Sequence, residues 1–315
     1  MDRDRVGRHL GFLTSRLEDP RRIQLRQGKF LQAHWDRRDV DDIIEVSHNL
    51  TKLHRVGDAD MADSLAVFMQ PAMYSIQYTH DREFPLRARR QLPEPKIPDC
   101  AFSDVVQQRR SVRNFDARPL SIAELSGLLF CTLGETGRLF TRFEEGDSVV
   151  EAPLRSIPSG GALHPTSIFA AVLQPGDLAT GVYHYDPPAH ELECVNPLAK
   201  SEIEALFAAF PVHPLVVGLG SAAALFFITS KFWRSRAKYG PRGYRYCLQE
   251  AGSACQNLCL AAVAFGLAHV VLGGFYDDEV HERLEIDGVD HAVITIIAVG
   301  APTVQPKTGT THVEL

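Results

Sequence analysis

From Gly252 to Phe265 the chain runs Gly-Ser-Ala-Cys-Gln-Asn-Leu-Cys-Leu-Ala-Ala-Val-Ala-Phe, and no other stretch limits the fold as much. The pattern predicts a helix over 245–265 that is apolar nearly all round from residue 252 onward. Such a helix must be buried on every side, in a core or between subunits. Gly266 is its expected C-terminal cap.

The neighbouring segments say what packs around it. Ser121-Ile122-Ala123-Glu124 has the spacing of a capping box. It opens a helix with Leu125, Leu128, Leu129 and Leu133 on one face, closed by Gly134. Ile168 to Leu173 reads as a buried strand. Residues 182–185 and 192–195 read as two strands around an Asp-Pro-Pro turn. Strands are expected again at 225–229, 269–272 and 292–299, with a helix at 277–284. The polar, Gly-containing residues 135–152 read as a loop. Strands separated by helices and long loops, with a hairpin, give an α+β domain on a mixed sheet.

Residues 1–95 differ, with dense mixed charge and apolar residues at helical spacing, as in Ile43, Ile44, Val46 and Leu50. They are expected to form a mostly helical arm, either a dimer-embracing extension or a peptide-binding platform. Pro93, Pro95 and Pro98 then form a linker into a domain over 96–315. A formal charge of −6 lacks the basic excess of a nucleic-acid binder. The charged N-terminus has no apolar run after it and is not a signal peptide. The apolar stretch 258–275 contains His269 and two glycines, so it is a buried helix and strand rather than a membrane span. The six cysteines include no CxxC pair, and Cys255 with Cys259 makes only half a metal site, so they read as core thiols in a reducing, cytoplasmic setting. No metal site is expected.

Four motifs carry chemistry. Arg109-Arg110-Ser111-Val112-Arg113 follows a short amphipathic run, 102–108; guanidinium forks suit phosphate oxygens and the carbonyl edge of a planar cofactor. Pro158-Ser159-Gly160-Gly161 is a loop whose backbone amides can approach a ligand. Gly273-Gly274 follows a strand, where N–H groups stand clear of side chains. Lys238-Tyr239, on a Gly/Pro-rich turn beside Arg242 and Arg245, can trade protons if burial and the arginines lower their pKa values. Each motif alone also fits an ordinary turn or solvated basic segment. Gly218-Leu219-Gly220 matches a dinucleotide fingerprint only loosely, because a strand rather than a helix follows it.

Taken in order, these motifs resemble the FMN-dependent nitroreductase superfamily. Tyr183-His184-Tyr185, Lys238 to Tyr246, Glu250-Ala251-Gly252, Gln256-Asn257-Leu258 and Gly273 to Asp277 bring the resemblance closer to its SagB-type, McbC-like azoline dehydrogenases of thiazole/oxazole-modified peptide pathways. The resemblance covers about residues 100–301. It implies a nitroreductase-like fold, with a mainly antiparallel sheet flanked by helices, and FMN at a homodimer interface. Arg109, Arg110 and Ser111 would hold the phosphate and ribityl end, and Arg113 the N1/C2=O edge. Pro158, Ser159 and Gly160 would border the flavin from the partner subunit, and the Gly274 amide would point towards N5 or O4, with Gly273 beside it. Lys238 and Tyr239 would be the catalytic pair. A peptide or carrier-bound azoline would be the substrate, and a cyclodehydratase a candidate partner. Two departures stand out. The usual C-terminal Lys-x-Arg on the phosphate is reduced to Lys307, leaving Arg242 or Arg245 as substitutes, and Ser253 stands where the family often has His. The competing functions are an NAD(P)H-dependent nitro, quinone or ene reductase and a non-catalytic flavin-binding partner.

Overall fold

The computed structural model describes residues 47–52, 59–68, 70–78, 82–142, 149–211 and 217–303. Two compact units divide at Lys52/Leu53. In the first, residues 47–50 are helical and Thr51 Oγ1 donates to the His48 carbonyl at 2.9 Å. Ile43, Ile44, Val46 and Lys307 lie outside the described residues.

The second unit holds everything that follows. Its elements are α1 (Ala59–Phe68), α2 (Pro71–Tyr78), β1 (Arg89–Gln91), α3 (Phe102–Gln108), β2 (Phe115–Asp116), α4 (Ile122–Leu133), β3 (Glu135–Arg142), β4 (Val149–Arg155), β5 (Thr166–Val172), β6 (Gly181–Asp186), β7 (Glu191–Pro197), α5 (Lys200–Ala208), β8 (Ala224–Lys231), α6 (Phe232–Tyr239), α7 (Gly243–Ala264), β9 (Ala268–Leu272), α8 (Asp277–Leu284) and β10 (His291–Pro302).

The main sheet runs β1-β7-β6-β5-β8-β10-β2, with β9 also pairing β10. Every strand pair in it is antiparallel; a parallel bridge joins Ser111 to His269. Strand β5 shows why its sequence is apolar throughout. Ile168, Ala170 and Val172 enter one core with Leu128, Leu129 and Leu258, while Phe169 and Ala171 enter a second with Leu206, Val280 and Leu284. The period of two therefore sends alternate residues into separate layers, α4 and α7 on one face and α5 and α8 on the other.

The capping box forms as expected: Ser121 Oγ accepts from Glu124 N at 3.2 Å, and Glu124 Oε2 accepts from Ser121 N at 2.8 Å. Two expectations are corrected. The described residues of 135–152 are not a loop: β3 and β4 pair as an antiparallel two-stranded ribbon. Its residues are largely exposed or half-buried, so it lacks the apolar alternation that marks a strand in sequence. Helix α7 is not buried all round within one chain. Cys247, Ala251, Ala254 and Leu258 are buried, but Tyr244, Leu248, Gly252 and Gln256, four residues apart, form an exposed stripe.

Candidate functional site

The basic segment begins where α3 ends. Arg110 folds back on the helix end, donating to Gln107 O at 2.7 Å and Arg109 O at 2.8 Å. Val112 N then donates to His269 O at 2.8 Å, which lays Ser111 beside β9. The chain next passes over Gly218. A Cβ there would lie 2.5 Å from the Arg113 carbonyl, and φ is +61°; this glycine is needed for close backbone approach, not for a dinucleotide. The described carboxylates leave Arg109, Arg110 and Arg113 without an ion pair. Arg109 is half-buried and the other two exposed.

His269 sits beneath this segment, 1% exposed, with no partner for either ring nitrogen. Burial, reinforced by the Arg109 charge, pulls its imidazole down to about 4. At the end of β9, Gly273 and Gly274 are exposed; a Cβ on Gly273 would meet nothing within 4 Å. The half-site thus offers guanidiniums, a hydroxyl and open backbone, a donor set that fits the phosphate and carbonyl edge of FMN.

A second half-site forms around loop 158–164. Ser159 Oγ accepts from His164 N at 2.9 Å, and Tyr78 Oη donates to Gly161 O at 2.9 Å. Gly161 has φ +64°, and a Cβ there would stand 2.5 Å from Tyr239 Oη and 3.1 Å from Lys238 Nζ. A Cβ on Gly160 would lie 3.5 Å from the Tyr246 ring. Tyr246 meets Tyr239 edge-on at 5.0 Å, and the Arg242 guanidinium lies 5.8 Å from the Tyr246 ring centre. Lys238 Nζ lies 5.8 Å from the Phe68 ring centre, and the residue is 5% exposed. Glu250, buried on α7, accepts from Thr166 N at 3.3 Å; burial pushes its carboxyl upward.

Two sequence expectations change here. Lys238 and Tyr239 sit on the last turn of α6 rather than on a turn. Burial, with a smaller contribution from Tyr246, raises the Tyr239 phenol instead of lowering it. The two half-sites are also separate within one chain. Tyr246 touches loop 158–164, whereas Cys259 feels the Arg109 charge. Thirteen residues of α7 part them, roughly 20 Å at 1.5 Å per residue. Arg242 and Arg245, at the start of α7, belong to the Lys238 end. His269, Tyr78 and Phe68 are candidate site residues outside the sequence motifs, and Gly161 lies in one of them without a role assigned to it. The doubled glycine was a signal for Gly161, whereas Phe68 and Tyr78 lie where the sequence carries no motif.

Among the described residues no cluster of His, Cys, Asp or Glu could hold a metal ion, and no helix is long and apolar enough to cross a membrane. Comparison with known proteins places the domain. The family model described as "Nitroreductase family" matches residues 106–301. The nitroreductase-like protein MJ1384 of Methanocaldococcus jannaschii is 32% identical over 61% of this chain and 88% of its own length. The microcin B17-processing protein McbC of Escherichia coli is 33% identical over 42% of this chain and 49% of its own. The solved E. coli microcin synthetase McbBCD complex, with truncated pro-MccB17 bound, includes a chain of the same fold: TM-score 0.51, 22% identity, covering 80% of this chain and 99% of that one.

Proposed function

The chain belongs to the nitroreductase family, and from that premise we propose that it is an FMN-dependent dehydrogenase that oxidises azolines in a peptide or carrier-bound intermediate to azoles. The observation that carries this reading is the convergence of Lys238 Nζ and Tyr239 Oη on the left-handed Gly161. The relationship to McbC supports a peptide substrate and a cyclodehydratase partner that makes the azoline.

FMN, when bound, supplies hydride acceptance. Aromatising a thiazoline or oxazoline removes a hydride from Cβ and a proton from Cα; the ring loses two hydrogens and gains one double bond. Lys238 Nζ is the group that takes the Cα proton. Tyr239 keeps its own proton, as its raised pKa requires, and donates a hydrogen bond to the ring heteroatom or nitrogen. Arg109, Arg110 and Ser111 would hold the phosphate and ribityl end, and Arg113 the electron-rich ring edge, where a cation would favour negative charge. Gly273 and Gly274 leave room for close backbone approach.

Two copies related by a two-fold axis, packed through the exposed stripe of α7, bring each arginine half-site to the partner's loop 158–160 and Lys238. A homodimer is therefore part of the reading, with Arg242 and Arg245 on the Lys238 side of it.

The test is incubation of the FMN-loaded protein with an azoline-bearing peptide under air. Loss of two hydrogens by mass spectrometry is the expected outcome. The MJ1384 relationship favours a second reading, an NAD(P)H-dependent nitro, quinone or ene reductase. Nitroaromatic turnover driven by NAD(P)H, with azolines left unchanged, would establish that reading in place of ours.

A further inference from the structure

Against the same loop lies a cavity of about 80 Å³, lined by Gln77, Arg155, His164, Thr166, Lys231 and Arg234 among others. A single water needs roughly 10–15 Å³ of such space, so the cavity can take a small polar group.

The charges around it do not balance. Glu83 is shared between Lys231 Nζ at 2.9 Å, His291 Nδ1 at 2.9 Å and His184 Nε2 at 3.0 Å. Asp186 faces Arg82 at 3.4 Å. Both carboxylates are engaged. Arg155 makes no hydrogen bond or ion pair among the described residues, and its Nε is enclosed. The nearest opposing influence is Glu250, which is itself occupied by the Thr166 backbone. Burial pulls the Arg155 guanidinium down to about 10, so it still carries its charge at neutral pH. The guanidinium of half-buried Arg155 feels Glu250 but holds no acceptor, so it is placed to take an anion.

Two further groups narrow the anion. His164 and Gln77 are each 9% exposed. His164 Nε2 lies 2.9 Å from Pro153 O, so the ring donates there and leaves Nδ1 as a bare acceptor with no partner. Its imidazole is held neutral, down to about 3, by burial and by Arg155. Both polar ends of the Gln77 side chain are likewise unsatisfied. The cavity offers one charged fork for an anion and acceptors for an N–H.

We propose that this cavity binds a carboxylate with a neighbouring amide N–H, the chemistry shared by a peptide C-terminus and an N-acyl amino acid. Bidentate contact with Arg155 fixes the carboxylate, and His164 Nδ1 accepts from the N–H. The inference does not depend on the dehydrogenase reading, because it is tested by binding rather than turnover.

The test is calorimetry and thermal melting on the full chain with N-acetylglycine and its neutral counterpart, N-acetylglycinamide. The wild type should prefer the acid by about tenfold or more, the weight of one charge-assisted contact. Arg155→Met should erase that preference. Without ligand it should melt within about 2 °C of the wild type or above it, because the guanidinium it removes makes no hydrogen bond or ion pair among the described residues. Tighter binding of a longer N-acetylated peptide acid identifies a peptide terminus as the ligand; equal binding identifies a free N-acyl amino acid. Equal affinity for acid and amide in the wild type overturns the proposal. So does absent acid binding, or an unliganded Arg155→Met that melts more than about 2 °C below the wild type.

Discussion

At the scale of single residues, Gly161 carries the most consequence. An L-residue at φ +64° is strained by about 1–2 kcal/mol, and its Cβ would collide with Tyr239 Oη. Gly161→Ala is therefore expected to lower azoline turnover by about tenfold or more while FMN is retained, measured by product mass and flavin absorbance on the same sample; unchanged turnover would separate Tyr239 from the chemistry. His269 makes a pH prediction. Its folded value, about 4, lies below the unfolded value of 6.5, so between them the unfolded chain binds the extra proton. Stability is intact above about pH 6.5 and falls as pH drops towards 4. The unfolding free energy, measured by urea denaturation at each pH, should fall less over this window in His269→Leu than in the wild type, by on the order of 2–3 kcal/mol. Parallel curves would show that the imidazole is not buried neutral. The arginines, the glycine pairs and Lys238-Tyr239 were legible as residue types in order. The raised Tyr239 phenol was not, because its cause is burial by a loop far away in sequence.

At the scale of elements, legibility followed the hydrophobic pattern. Helix α4 declared itself through its capping box and four leucines, and β5, β8 and β10 through unbroken apolar runs that both sheet faces demand. The β3–β4 ribbon and α6 gave no such signal. The ribbon has little buried face, and α6, Phe-Trp-Arg-Ser-Arg-Ala-Lys-Tyr, is polar and ends at Gly240-Pro241, which draws the eye to a turn. Helix α7 is expected from its sequence to be covered on every side, in a core or between subunits, and its own chain leaves one stripe exposed. Its stripe of Tyr244, Leu248, Gly252 and Gln256 is exposed, and the proposed dimer packs there. A Cβ on Gly252 meets nothing within 4 Å, so Gly252→Arg should fold as a monomer. It should elute without FMN while the wild type elutes as a yellow dimer in size-exclusion chromatography; a dimeric, FMN-bearing variant would place the interface elsewhere.

At the scale of the whole molecule, the α+β expectation and the nitroreductase family assignment agree with the antiparallel sheet and its two helical layers. The separation of the half-sites by roughly 20 Å of α7 was beyond the reach of motif reading, since sequence order lists the pieces without saying which end of the helix each one meets. In the proposed dimer the Lys238 end of one copy performs proton abstraction beside the partner's arginine cradle. The most direct measurement is a single turnover of FMN-loaded protein on an azoline-bearing peptide without dioxygen, comparing wild type, Lys238→Ala and Tyr239→Phe. The expected result is one azole per flavin in the wild type, a rate lower by about 10²–10⁴ in Lys238→Ala and a smaller loss in Tyr239→Phe. Wild-type rates in Lys238→Ala, with its flavin bound, would contradict it.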